Sequence, residues 1–216
     1  MDGVLVDTEP IIFRAFRRVF SAMNIALDDA YLHGLVGDST DKNLADIQRD
    51  FAVTLDAPAV KEQLHRDYVG FLQREPVPVR SQTVRFLTQA KKHGLHIGLC
   101  TSSRNEIVRI VLHSLDQQKV FPVSAWEWFE SVITGSDVVN KKPHQEPYQV
   151  SAKRLSVGTE RCLVLEDSAA GVESAKSAGC RCVALRAPYN QHMDFSKADW
   201  VLDHLDDRLF WPETAL

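Results

Sequence analysis

Along the first third of the chain, apolar positions recur at the spacing of helix turns. In IIFRAFRRVFSAMNI, Ile12, Phe16, Val19 and Phe20 form one stripe, with Arg14, Arg17 and Arg18 around it. Thr8 is placed to cap that helix, and Pro10 fits its first turn. LADIQRDF and VKEQLHRDYVGFL repeat the amphipathic pattern until EPVPV, residues 75–79, where two prolines break it. From there helix and strand patterns alternate. TVRFLTQAKKHG reads as a helix closed by Gly94, LHIGLC as a short apolar strand, and Thr-Ser-Ser as the start of the helix NEIVRIVLHSL. SVIT, CLVLE and RCVALR are further short buried strands, separated by the helices YQVSAKRLS and AAGVESAKSAG.

Buried strands alternating with amphipathic helices predict an α/β fold, a doubly wound parallel sheet with a small all-helical cap. The core is expected to be discontinuous, residues 1–8 and 80–216, with the cap at 9–79 lying over the carboxyl edge of the sheet. That edge is where such sheets bind ligands.

Composition adds exclusions. With 44% hydrophobic and 25% charged residues among 216, the chain is ordinary for a globular protein, and its formal charge of −4 leaves no footprint for nucleic acid or an anionic membrane. No apolar run approaches the roughly 18 residues of a membrane span. MDGVLVDTEP has acids and no basic n-region, so it does not read as a signal peptide. A cytoplasmic monomer is the expectation. Cys100, Cys162, Cys180 and Cys182 read as reduced core residues; the Cys-x-Cys pair has no nearby Cys or His to complete a zinc set.

Candidate chemistry comes from the polar residues that follow strands. Asp2-Gly3-Val4 opens the chain, with Asp7 and Thr8 close behind; Thr101, Ser102 and Ser103 follow LHIGLC; Lys141 and Lys142 lie after SVIT; Glu166 and Asp167 end CLVLE. In a parallel sheet these strand ends meet on one rim. Adjacent carboxylates hold a hard cation such as Mg²⁺. A lysine and a hydroxyl bind phosphate oxygens, and an aspartate near the leaving group serves as general acid. Each feature also has a structural explanation: Glu-Asp and Thr-Ser-Ser as helix caps, Lys-Pro as a solvated turn, Asp-Gly as a tight turn. Their order and shared position make the set specific.

These segments resemble motifs of the haloacid dehalogenase superfamily, in its phosphatase and β-phosphoglucomutase branch with a helical cap. MDGVLVDTEP resembles the end of the first motif, LCTSSRN the second, KKPHQEPY the third and LVLEDSAAGVESAKSAG the fourth. The resemblance implies that Asp2 is the general acid/base and a metal ligand through its carbonyl, Thr101 and Lys142 bind the phosphoryl group, and Glu166 and Asp167 hold Mg²⁺, Asp167 most directly. It implies that Thr8 interacts with Asp2 and that Asp7 braces the loop. Ser102, Ser103 and Asn105 are expected to line the phosphate site more loosely. The segment at 36–42 resembles the family's substrate-specificity loop, with Ser39 and Lys42 as contacts to a small phosphorylated metabolite.

The family's nucleophilic aspartate stands two residues before the general acid, a position that would precede Met1. The expectation is that Met1 is an internal methionine of a Phe-Asp-Met-Asp-Gly stretch. The 216 residues taken alone would then form no aspartyl-phosphate. They would also lack an apolar strand between those carrying Thr101 and Glu166, and be poorly stable. Phosphatase is preferred over phosphomutase because Ile12 stands where the mutases carry a proton-relaying histidine. Dehalogenation is disfavoured by Asp2, since a halide needs no proton. A non-catalytic scaffold is disfavoured by the retention of Thr101, Lys142, Glu166 and Asp167.

Overall fold

The computed structural model describes residues 1–205. The predicted helical stretch divides into four helices, α1 (Glu9–Ser21), α2 (Asp29–Gly34), α3 (Thr40–Asp50) and α4 (Ala57–Arg74). The apolar stripe of α1 is buried as its spacing predicts, with Phe16, Val19 and Phe20 packed among Leu32, Leu44 and Leu64. Ile12 is only half-buried at the edge of that stripe. Asp28, Ser39 and Asp56 cap α2, α3 and α4, each accepting a backbone N–H bond in the first turn. Pro10 sits in the first turn of α1 as expected, but Thr8 makes no side-chain cap bond. Its hydroxyl is used elsewhere.

The rest alternates: α5 (Ser81–Lys92), β1 (Gly98–Cys100), α6 (Asn105–Gln117), α7 (Ala125–Trp128), β2 (Ser131–Ile133), α8 (Glu146–Arg154), β3 (Leu163–Glu166), α9 (Ala169–Ser177), β4 (Arg181–Leu185) and β5 (Trp200–Leu202). Every ladder is parallel, as the buried strand pattern predicts. Helix α6 starts at Asn105 with no side-chain cap, so Thr-Ser-Ser is a loop and not the cap it resembles in sequence. Both α7 and β5 go beyond the sequence pattern; Trp200 and Val201 of β5 remain partly exposed, so β5 lacks the apolar signature of a central strand.

The strands form two ladders, β2–β1 and β3–β4–β5. Between β1 and β3 lies a cavity of about 630 Å³ walled by Leu99, Val164, Phe86, Tyr148 and Met1. At this place the family resemblance leads one to expect a strand. Met1 and Leu5 join the core that packs α6 against β1, and Asp2 and Val6 touch by an isolated parallel bridge.

The passage between the helical layer and the sheet is pinned twice. Asp7 donates its N–H to Pro78 (2.8 Å) and Arg80 donates to Leu5 (2.9 Å), with Val6 and Val79 bridged antiparallel. The side chains of Arg80, Asp7 and Tyr189 form a linked group beside it. Gly37, at φ +92°, brings the helical layer against Met193 after β4; an added Cβ would stand 2.4 Å from the Met193 methyl. Among the described residues, no helix is long and apolar enough to cross a membrane.

Candidate active site

The carboxyl ends of β1 and β3, the loop after β2 and the first turn of the chain converge on a cavity of about 170 Å³. Its walls include Asp2, Thr101, Ser103, Lys142, Glu166 and Asp167, together with Ser102. Asp2 is gripped from two sides: Thr8 Oγ1 donates to Oδ1 at 2.8 Å, and Ser103 Oγ donates to Oδ2 at 2.7 Å. Thr101 Oγ1 reaches Oδ2 at 3.4 Å and accepts the Ser103 N–H at 3.1 Å, which ties the loop after β1 to Asp2. Thr8 therefore meets Asp2 as the resemblance implies, and this explains why it does not cap α1.

Lys142 and Glu166 form a buried ion pair at 2.5 Å, with both side chains nearly inaccessible. Lys142 Nζ also donates to the Cys100 carbonyl at 3.3 Å. Tyr148 donates to Glu166 Oε1 at 2.5 Å, and Ser168 Oγ to Oε2 at 3.1 Å. Burial opposes the charge on Lys142, but the Glu166 carboxylate outweighs it and holds the ammonium above its usual range. Burial likewise opposes ionisation of Glu166, and Lys142 and Tyr148 overcome it, leaving the carboxyl below the usual range. Both Glu166 oxygens accept hydrogen bonds, from Lys142, Tyr148 and Ser168, and Asp2, Glu9, Glu166 and Asp167 all line the cavity. Among the described residues there is no group of three or more His, Cys, Asp or Glu arranged to hold a metal.

Asp167 is held by its backbone. Its N–H donates to Glu166 Oε2, and its carbonyl accepts from Asn190 Nδ2 at 2.8 Å. Asn190 is fully buried and also binds Leu185 O and the Ala187 N–H, so it fixes the loop after β4 to the end of β3. Its sequence signal is the same as for the other site residues, a polar residue shortly after a strand. Tyr148, inside the third motif, carries no such signal; its role depends on α8 aiming the phenol at Glu166.

Two glycines keep this cluster tight. Gly171 lies in the first turn of α9, where a Cβ would stand 2.0 Å from the Glu166 carboxyl. Gly3, at φ +64°, would place a Cβ 1.7 Å from Asp167 Oδ2. Gly3→Ala is expected to lose about 1–2 kcal/mol from left-handed backbone strain alone, and more because Asp167 must move. Urea unfolding measures it; a variant as stable as the parent would show that Gly3 does not abut Asp167.

The other predicted residues are less central. Ser39 Oγ caps α3 by accepting the Lys42 N–H at 3.3 Å, and the exposed Lys42 ammonium pairs with Asp38 and Asp46. Neither lines the cavity. Asn105 Oδ1 accepts from Arg109 at 2.7 Å, so it too is engaged outside it. Sequence reasoning passed over Glu9, which stands where the site cavity adjoins a second one of about 180 Å³ lined by Ile12, Phe13, Leu35 and Asn43.

Burial, and then the charges of Asp167, Asp2 and Asp7, push Glu9 up to about 8. Burial and the adjacent Glu166 charge raise Asp167 to about 7. A carboxyl with a raised folded pKa binds its proton more tightly in the native state. Its contribution to stability is full below the unfolded value near 4.5 and is lost as pH rises through about 8. The melting temperature is therefore expected to fall between pH 5 and 8, and Glu9→Gln is expected to flatten that fall. An unchanged slope in the variant would remove Glu9 as its source.

The haloacid dehalogenase-like hydrolase family model matches residues 1–185. The phosphorylated carbohydrates phosphatase of Thermotoga maritima is 31% identical over 83% of this chain and 79% of that protein. Protein CbbY of Cereibacter sphaeroides is 27% identical over 94% and 89%. The crystal structure of CbbY from Rhodobacter sphaeroides in complex with phosphate superposes with a TM-score of 0.76, at 25% identity, covering 94% of this chain and 91% of that one.

Proposed function

Because the chain belongs to the haloacid dehalogenase-like hydrolases, we propose that its site serves Mg²⁺-dependent hydrolysis of a small phosphomonoester, a sugar phosphate foremost. The observation that carries this reading is the convergence of Asp2, held by Thr8 and Ser103, with Thr101, Lys142 and Asp167 around one cavity. A phosphoryl group fits among the Thr101, Ser102 and Ser103 groups and the Lys142 ammonium, which oppose its negative charge. Asp2, fixed through both oxygens, is placed to give a proton to the leaving oxygen and afterwards to take one from water.

The acids support a cation as the missing balance. Burial first, and then neighbouring carboxylates, raise Asp167 and Glu9, and the lysine beside them is paired with Glu166. Asp2 and Asp167 would hold the ion directly, with Glu166 positioning Lys142 and the Asp167 backbone. When bound, Mg²⁺ supplies the positive charge that phosphoryl transfer requires. Residues 9–79 would act as the cap, and the second cavity as the seat of the leaving group. At about 180 Å³ it has room for the share of about six waters, the scale of a small sugar. Ile12 on its wall offers no proton relay, which supports hydrolysis over return of the phosphoryl group to a sugar. The phosphatase named for phosphorylated carbohydrates among the relatives supports the same substrate class.

The family's aspartyl-phosphate route uses a carboxylate two positions before Asp2. The test therefore uses two proteins, the 216 residues alone and a fusion with an apolar strand ending in Phe-Asp ahead of Met1. With Mg²⁺ and a panel of sugar and nucleoside phosphates, the fusion should release phosphate and the shorter chain should not. A fusion that binds Mg²⁺ without turnover would favour a binding protein, and one that isomerises sugar phosphates would favour a mutase.

A further inference from the structure

The four cysteines are free thiols, and the proposed phosphatase chemistry uses none of their side chains. Two of them occupy a distinctive place. Cys162 immediately precedes β3, and Cys180 precedes β4. The β3–β4 register pairs Leu163 with Arg181 and Val164 with Cys182, so one step back sets Cys162 opposite Cys180. The ladder extends that far, because Arg181 donates its N–H to the Cys162 carbonyl at 3.0 Å. Partners across a ladder stand about 4.8 Å apart, inside the roughly 4.4–6.8 Å Cα range that a disulfide spans. Paired residues of a parallel ladder project from the same face, and the Cys162 thiol donates to the Gly158 carbonyl at 3.4 Å.

Cys182 lies across from Val164, and Cys100 belongs to the other ladder, so neither has a cysteine opposite it. Cys162 is only half-buried, and Cys180 is buried behind it. We infer that Cys162 and Cys180 form a dithiol that a small-molecule disulfide oxidises to a reversible intramolecular cross-link.

The exchange balances in two steps. The Cys162 thiolate attacks the small disulfide, forming a mixed disulfide and releasing one thiol. The Cys180 thiolate then attacks the Cys162 sulfur and releases the second thiol, so two protein thiols are oxidised as one disulfide is reduced. Burial pushes both protein thiols up, Cys180 to about 12, which keeps the pair slow to react at neutral pH and faster in mild alkali. The cross-link closes a loop containing Glu166, Asp167 and α9, so oxidation would fasten the strand that carries the acid pair to its neighbour.

Incubating the folded 216-residue chain with oxidised glutathione at pH 8.5 tests this. The expected result is loss of two thiols, a Cys162–Cys180 linked pair on peptide mapping, and a melting temperature raised by about 5–10 °C that dithiothreitol reverses. Cys162→Ala should abolish the link and the shift, whereas Cys100→Ala should keep both; the half-buried position of Cys162 makes its variant a safer fold than one at buried Cys180. Four unreacted thiols, glutathione held at Cys162 with no internal link, or a link to Cys100 or Cys182 would each overturn the inference.

Discussion

Asp2→Asn, placed in the fusion that carries Phe-Asp ahead of Met1, is expected to lower kcat by ~10²–10⁴-fold while leaving stability nearly unchanged. The reason is geometric. The asparagine oxygen can still accept from Thr8, and its amide can donate to the Ser103 hydroxyl, so the two contacts that fix residue 2 survive. What the amide cannot do is exchange a proton with the leaving oxygen and then with water. KM should change little, because the proposed phosphoryl contacts of Thr101 and Lys142 are left in place. Steady-state kinetics with matched melting curves measure both halves. Retained turnover would remove Asp2 from the acid/base role, and a large drop in melting temperature would show that its charge is structural.

Lys142→Met has the other large expected effect, first on folding. Glu166 is buried with Lys142 as its cation, and removing one member of such a pair leaves an uncompensated charge costing about 3–5 kcal/mol. Against a total stability of about 5–15 kcal/mol, that is enough to unfold part of the population. Tyr148 and Ser168 still donate to Glu166 and soften the loss. The double variant Lys142→Met/Glu166→Gln removes the buried charge and should recover most of the stability without recovering turnover. Urea titrations of the single and double variants decide it. A double variant as unstable as the single one would mean that packing of the lysine stem, and not the ion pair, carries the effect.

Some of this arrangement is legible in the sequence. The convergence of Thr101, Lys142 and Asp167 follows from one rule, that polar residues after buried parallel strands collect on one rim. Asn190 obeys the same rule and could have been found by it. Other roles were not legible because they depend on which atom a side chain meets. Thr8 has the composition and position of a helix cap, yet its hydroxyl goes to Asp2, since the chain turns back within six residues. Ser39 and Lys42 belong to the segment that resembles a specificity loop, yet Ser39 caps α3 and Lys42, in its first turn, pairs with Asp38 and Asp46. Glu166 and Asp167 are neighbours with the same functional group. Strand alternation and the position of Tyr148 give Glu166 to Lys142, while Asp167 is held through its backbone N–H and carbonyl.

Apolar periodicity in the sequence by itself determined the helical layer, the parallel strands and the order of the motifs, because spacing alone sets which faces can be buried. Tertiary structure alone decided that Glu9 joins the acid cluster. It also set Cys162 opposite Cys180. The physical reason is the same in each case: register and desolvation are properties of neighbours in space, and no local pattern records which neighbour a residue will have.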